Sequence, residues 1–229
     1  MPYEATIVLK LLASILVGYL LGSIPFAHLV ARGRGVDIFI TGNRRAGSAN
    51  VFWNIGRKSG ALVLVSDLAK GAGAILVANH LLGVPGPMLI LAGGAAVLGH
   101  WKSLFTGFRG GDGMATLLGV TIALVPTMAF IGILVGLVAV LLSWRSPFRS
   151  ARGIAVCYLL LLGISQYYQI QRDLVLGLAV LASLVLFHNV LIHRRLAGHA
   201  PLDQLHLDLD LDDDDEIDPD LGNAASQER

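Results

Sequence analysis

Between positions 99 and 119 the chain reads GHWKSLFTGFRGGDGMATLLG. Gly110, Gly111 and Gly113 let backbone come close to a ligand. The amides of 113–116, Thr116 included, open a helical run whose N-terminus favours negative charge. His100, Lys102 and Arg109 add donors and cations around them. The chemistry this pattern suits is the holding of an oxyanion such as a phosphate. It is not a Walker A loop, whose glycine run closes on Lys-Ser/Thr. Asp112 stands among the glycines, and a carboxylate there repels a phosphate unless it points away or pairs with Arg109.

A second stretch, GVDIFITGNRRAGSANVFWNIGRKSG at 35–60, sets Asn43, Gly47, Ser48 and Asn50 among Arg44 and Arg45. Turn formers of this kind can present backbone N–H groups as an anion nest, and arginine offers a two-pronged donor to phosphate. An ordinary basic cytoplasmic loop is the competing account. Asp67 and Lys70 are three apart and share a helix face. They either neutralise each other or leave Lys70 as a phosphate contact. His188, near the end of the last apolar run, is a candidate proton carrier or a membrane-edge residue. In GSIPF, 22–26, Pro25 frees carbonyls by ending or kinking a helix, and Ser23 could satisfy one of them. No Ser/His/Asp order, metal-ligand spacing or dinucleotide fingerprint is present.

The elements that must position these residues are membrane helices. Apolar residues make up 55% of the chain and charged ones 14%, against about a quarter charged in soluble domains. Apolar segments fall at about 5–28, 60–82, 86–99, 114–143, 153–168 and 172–192, several of them at the roughly 18 residues that mark a span. The N-terminus lacks the basic region and cleavage site of a signal peptide, so its apolar run is expected to stay as the first span. Cys157, the one cysteine, lies in an apolar run and is read as a core residue.

The near-neutral total charge of +1 hides an asymmetry: residues 203–228 hold eleven of the sixteen acidic groups. Residues 201–229 therefore read as an acidic, disordered cytoplasmic tail beside a membrane domain of 1–200. Basic loops face the cytoplasm. If 114–143 crosses once, Lys and Arg divide 9:5 between the two sides. If it turns at Pro126 and crosses twice they divide 13:1. The second division predicts an all-α, polytopic bundle of about seven crossings with the N-terminus outside and the C-terminus in the cytoplasm. Its 114–125 crossing would be only about 18 Å long, so it must be sheltered or sit where the bilayer is thin.

Taken together these stretches resemble the acyl-phosphate:glycerol-3-phosphate acyltransferase family of bacterial membrane enzymes. GSIPF, GVDI, the glycine-and-basic run, Asp67–Gly71 as D-x-x-K-G, and 99–116 as G-H…F-x-G-F-[KR]-G-G-x-G-x-A-T stand in the family's order and spacing. The resemblance implies transfer of an acyl chain from acyl phosphate to the 1-hydroxyl of glycerol 3-phosphate, giving lysophosphatidic acid in phospholipid biosynthesis. It implies no metal or other cofactor, membrane lipid as surroundings, no nucleic acid, and a place in the bacterial inner membrane. Asn43, Arg44, Arg45, Gly47, Ser48, Asn50, Lys70, His100, Arg109, Gly110, Gly111, Gly113 and Thr116 are the expected substrate-binding set, with His188 and Ser150 as the catalytic pair. Three positions depart from the family pattern: Asn43 replaces a serine, Trp53 an arginine and Asp112 a lysine. A non-catalytic relative that binds acyl phosphate, lipid or a protein partner is the alternative. A small-solute transporter is disfavoured, because no pair of corresponding broken segments suggests repeats.

Overall fold

The computed structural model describes residues 3–146 and 148–197. Among these residues the chain is helical, with no strand. Helix α1 (Tyr3–Ser23) stops where Pro25 cannot continue it, and α2 (Phe26–Arg32) restarts at once. A loop leads to the short α3 (Ser48–Asn54) and then to the long α4 (Arg57–Leu76), which ends in a π-helical turn, Val77–Leu81. Helix α5 (Leu89–Trp101) is followed by a 3-10 turn at Leu104–Thr106. The apolar run 114–143 is broken: α6 (Met114–Leu124) ends at Val125, and α7 begins at Pro126 and runs to Leu142. Proline suits a first helical position because its missing N–H would be unpaired there in any case. Helices α8 (Arg149–Tyr168) and α9 (Arg172–Ala197) complete the described chain.

Among the described residues four helical stretches are long and apolar enough to cross a membrane: Glu4–Arg32, Arg57–Leu81, Gly86–Thr106 and Arg172–Ile192. Helices α6 and α7 are apolar but shorter. The 153–168 segment, expected as a span, lies within α8 and is not among the four. The acidic tail, 201–229, lies outside the described residues.

Two cores hold the chain through Asn189, the first of two compact units. The larger runs from Ile75 on α4 through Leu117 and Val120 of α6 to Leu161 of α8 and Leu178 of α9. The smaller joins Ala27, Ala31, Ile38, Ala46, Val51 and Val63. That small core explains why the glycine-rich loop before α3 is fixed rather than draped: Ile38 and Val51 are wholly buried beneath it. Helices pack backbone to backbone where side chains are small. Gly18 and Gly22 of α1 lie against Ala92 and Ala96 of α5, the close approach that membrane helices use when no water drives association. The second unit, Val190–Arg229, is described only as the end of α9, up to Ala197.

Candidate functional site

Three elements converge beneath the α1–α2 break. Lys70 on α4 is buried and places its Nζ 3.0 Å from Asp67 Oδ1 and 3.2 Å from the carbonyl of Ile24, to which it donates a hydrogen bond. Ser103 donates to the carbonyl of Ser23 at 2.5 Å. The carbonyls that Pro25 frees are thus met by Lys70 and Ser103, not by the Ser23 hydroxyl, which has no hydrogen-bond partner. His100, at the end of α5, lies with Nδ1 3.7 Å from Asp67 Oδ1, too long for a hydrogen bond. These groups line a narrow cleft together with Arg109, Gly110, Gly111 and Ala46.

The two motif loops meet at the cleft's edge. Ala46 donates its amide to the carbonyl of Gly110 at 3.3 Å, and Gly111 donates its amide to the carbonyl of His100 at 3.1 Å. Gly111 is glycine because nothing larger fits: a Cβ there would collide with His100 Nε2 and lie 2.5 Å from the Ala46 carbonyl oxygen. Gly113 has φ +81°, the left-handed conformation that glycine tolerates at the N-cap of α6.

Asp112 does not pair with Arg109. Its Oδ1 accepts the amide of Met114, the first residue of α6, at 3.2 Å, while Trp101 Nε1 donates to its carbonyl at 2.9 Å. Arg109 instead lays its guanidinium over the Phe39 ring, 4.4 Å from the centroid. A guanidinium on an aromatic face keeps its own plane of donors free along the edges, and the Asp112 carboxylate is already engaged by the Met114 amide. The cation electrostatically coupled to Asp112 is Arg45. Burial lowers the Arg45 pKa from its ordinary value, the Asp112 charge opposes that shift, and Arg45 Nε has no hydrogen-bond partner.

The other expected residues divide. Asn43 closes a turn on itself, its Oδ1 accepting the Arg45 amide at 3.1 Å, and Arg44 is exposed with φ 57°. Gly47 is the extended N-cap of α3 and Ser48 its first residue. Asn50 is held by its own loop: its amide donates to the carbonyls of Ile38, Thr41 and Arg45, and its Oδ1 accepts from Asn54. Buried in this way, it ties the loop together. Thr116 is buried, with its backbone carbonyl packed on Gly71 of α4 and its hydroxyl without a hydrogen-bond partner. His188 stacks on Trp101, with ring centroids 4.1 Å apart and planes 17° off parallel. Ser150 is exposed in the first turn of α8 and does not line the cleft. Its neighbour Arg149 lies over the rings of Trp144 and Trp53, at 4.5 and 5.6 Å. Sequence reasoning missed Ser103, Phe39 and Trp101. The signal for all three was position, a hydroxyl or an aromatic ring inside or beside a polar motif loop. Among the described residues no group of His, Cys, Asp and Glu is placed to hold a metal ion.

A family model described as glycerol-3-phosphate acyltransferase matches residues 12–198. A glycerol-3-phosphate acyltransferase of Roseiflexus sp. (strain RS-1) is 37% identical over 201 residues, 86% of this chain and 95% of that protein. Glycerol-3-phosphate acyltransferase 3 of Dehalococcoides mccartyi (strain ATCC BAA-2266 / KCTC 15142 / 195) is 37% identical over 206 residues, 84% of this chain and 95% of its own. The fold is similar to crystal structures of PlsY (YgiH), an integral membrane glycerol 3-phosphate acyltransferase. The glycerol 3-phosphate form has a TM-score of 0.68 at 30% identity and is matched over 85% of this chain and 98% of that one. The lysophosphatidic acid form has a TM-score of 0.67 at the same identity, with 82% and 92% covered.

Proposed function

The chain belongs to the glycerol-3-phosphate acyltransferase family, and from that membership we propose that it takes its acyl chain from acyl phosphate and places it on the 1-hydroxyl of glycerol 3-phosphate. It is an integral membrane acyltransferase of phospholipid synthesis. In the proposed step the hydroxyl oxygen bonds to the acyl carbon and the carbon–oxygen bond to phosphate breaks. The hydroxyl proton leaves with the departing phosphate, which becomes inorganic phosphate, and the products are lysophosphatidic acid and that phosphate. A substrate that carries off its own proton needs no protein base, which suits a cleft built from donors and cations.

The observation that carries this reading is the seam between the two motif loops, where the Ala46 amide meets the Gly110 carbonyl and sets Arg45 beside the Gly110–Gly113 turn. Two basic, glycine-bearing loops held together over a buried lysine and histidine form an anion site at the end of an apolar helix pair. The direct test supplies purified protein with acyl phosphate and glycerol 3-phosphate and measures lysophosphatidic acid formed and phosphate released in equal amounts. Phosphate release without lysophosphatidic acid would overturn the choice of acceptor.

In this reading Arg45 holds the acceptor's phosphate, replacing the cation lost at Asp112. Arg45→Ala is expected to weaken glycerol 3-phosphate binding by about 1.5–3 kcal/mol, the scale of a hydrogen bond to a charged group. Unchanged acceptor affinity in Arg45→Ala and in the Arg44→Ala/Arg45→Ala pair would remove that role.

The seven-crossing path in the bacterial inner membrane, with the basic loops and the tail in the cytoplasm, belongs to the same proposal. The break at Pro126 supports it by giving 114–143 a place to turn. In a Cys157→Ala background, cysteines at 105 and 215 are expected to resist labelling from outside intact cells. Labelling of 215 from outside would reject the double crossing of 114–143.

A further inference from the structure

The hydrogen bond that joins the two motif loops has an arginine immediately before each partner: Arg45 before Ala46, and Arg109 before Gly110. The two arginines are held differently. Arg45 is partly buried and feels the charge of Asp112. Arg109 is exposed, and among the described residues no carboxylate forms an ion pair with it. A long side chain in that state samples many rotamers, and ordering it when a ligand binds costs affinity. Here the ordering comes from a ring. The Arg109 guanidinium lies 4.4 Å from the centroid of Phe39, and its Nε donates to the Thr106 carbonyl at 3.5 Å, the outer limit of such a bond.

Phe39 is itself fixed. Its amide donates to Asp37 Oδ1 at 2.9 Å, its ring packs against His28 of α2 with centroids 5.5 Å apart, and its neighbour Ile38 is wholly buried. Ile38 already anchors this loop in the smaller core, and Phe39 only packs against that core from its edge. A leucine could fill the same edge, but it has no π face to attract a cation. Resting on the acyl-transfer reading above, we propose that Phe39 is a positioning residue that acts through Arg109, holding the guanidinium at the rim of the cleft for a substrate phosphate. The choice of partner matters. A carboxylate would hold Arg109 as firmly but cancel its charge and occupy its donors. An aromatic face holds it while leaving both the charge and the N–H edges available.

The test is a double-variant cycle on full-length protein in lipid bicelles, with each substrate varied in turn. Arg109→Gln is expected to raise KM for one of the substrates, and Phe39→Leu to raise the same KM about two- to fivefold, the range of an exposed cation–π contact. In Phe39→Leu kcat should stay within about twofold of the parent, since the contact is made with or without the transition state. Phe39→Tyr, which keeps the ring face, should restore the parent KM. Added to Arg109→Gln, Phe39→Leu should change KM no further. A purely structural ring would give the same KM change in both backgrounds, and that result overturns the proposal. So does an unchanged KM in either single variant. Calorimetry with glycerol 3-phosphate alone and palmitoyl phosphonate alone, neither of which can react, repeats the cycle without turnover. The same non-additivity in binding supports the role of Phe39 even if the parent transfers no acyl group, a result that would sink only the acyl-transfer reading. Additive losses, or no binding of either compound by the parent, sink the positioning role itself.

Discussion

Asp67→Ala is expected to cost the fold about 3–5 kcal/mol, the usual consequence of leaving one member of a buried ion pair alone. Asp67 and Lys70 are 2% and 5% exposed, and among the described residues no other carboxylate stands within ion-pair distance of Lys70. Thermal unfolding in detergent should show a large fall in midpoint, and acyl transfer should fall with it. The pair as a whole is a different matter. A buried pair replaced by apolar residues of similar volume is often neutral for stability. Asp67→Leu/Lys70→Met should therefore recover most of the lost stability while remaining inactive, because the Lys70 ammonium that holds the Ile24 carbonyl and lines the cleft is gone. A double variant that regained activity would show that the pair only props the helices apart. A single Asp67→Ala variant as stable as the parent would contradict the burial on which the whole reading of the cleft depends.

Gly111→Ala is expected to lower kcat/KM by about 100-fold or more, the scale of a misplacement of roughly 1 Å at a site of this kind. The new methyl has nowhere to go. On one side is the His100 ring, itself buried, and on the other the Ala46 carbonyl oxygen, 2.5 Å from the ideal Cβ. The least costly response is for the two loops to part, which stretches the 3.3 Å bond between the Ala46 amide and the Gly110 carbonyl and carries Arg45 away from the glycine turn. Stability should change far less than activity, since Gly111 belongs to neither hydrophobic core. Calorimetry of glycerol 3-phosphate binding separates the causes. Affinity should weaken if the loops part, whereas intact affinity with lost turnover would place the damage at His100.

The apolar runs and Pro126 made the helices legible in the sequence, because hydrocarbon admits few alternatives to a helix and proline leaves few alternatives to a break. The membrane domain and both motif loops could be read in the same way. The roles of single side chains within the loops could not. Asn50 looks the same in sequence whether its amide faces a substrate or, as here, three carbonyls of its own loop. Arg109 beside Asp112 suggested a local pair, but Phe39, seventy positions earlier, claims the guanidinium. Ser103 reaches a carbonyl 80 residues away. Contacts of that span are set by how α1, α4 and α5 pack, and no local pattern encodes them.

The bond from Asp112 to the first amide of α6 means that the glycine turn carries an anion of its own. Its tenant is the protein's own carboxylate, on the amide of Met114. Any anion that is to use that amide must first evict a covalently attached competitor, whose effective concentration never falls. An intramolecular hydrogen bond of this kind contributes about 1 kcal/mol net, so each such ligand binds roughly fivefold more weakly than it would to a free Met114 amide. The handicap falls hardest on small anions with no other foothold. Inorganic phosphate, the product of the proposed reaction, is such an anion. A built-in competitor of this kind favours release over retention and leaves the turn free for a ligand that brings further contacts of its own.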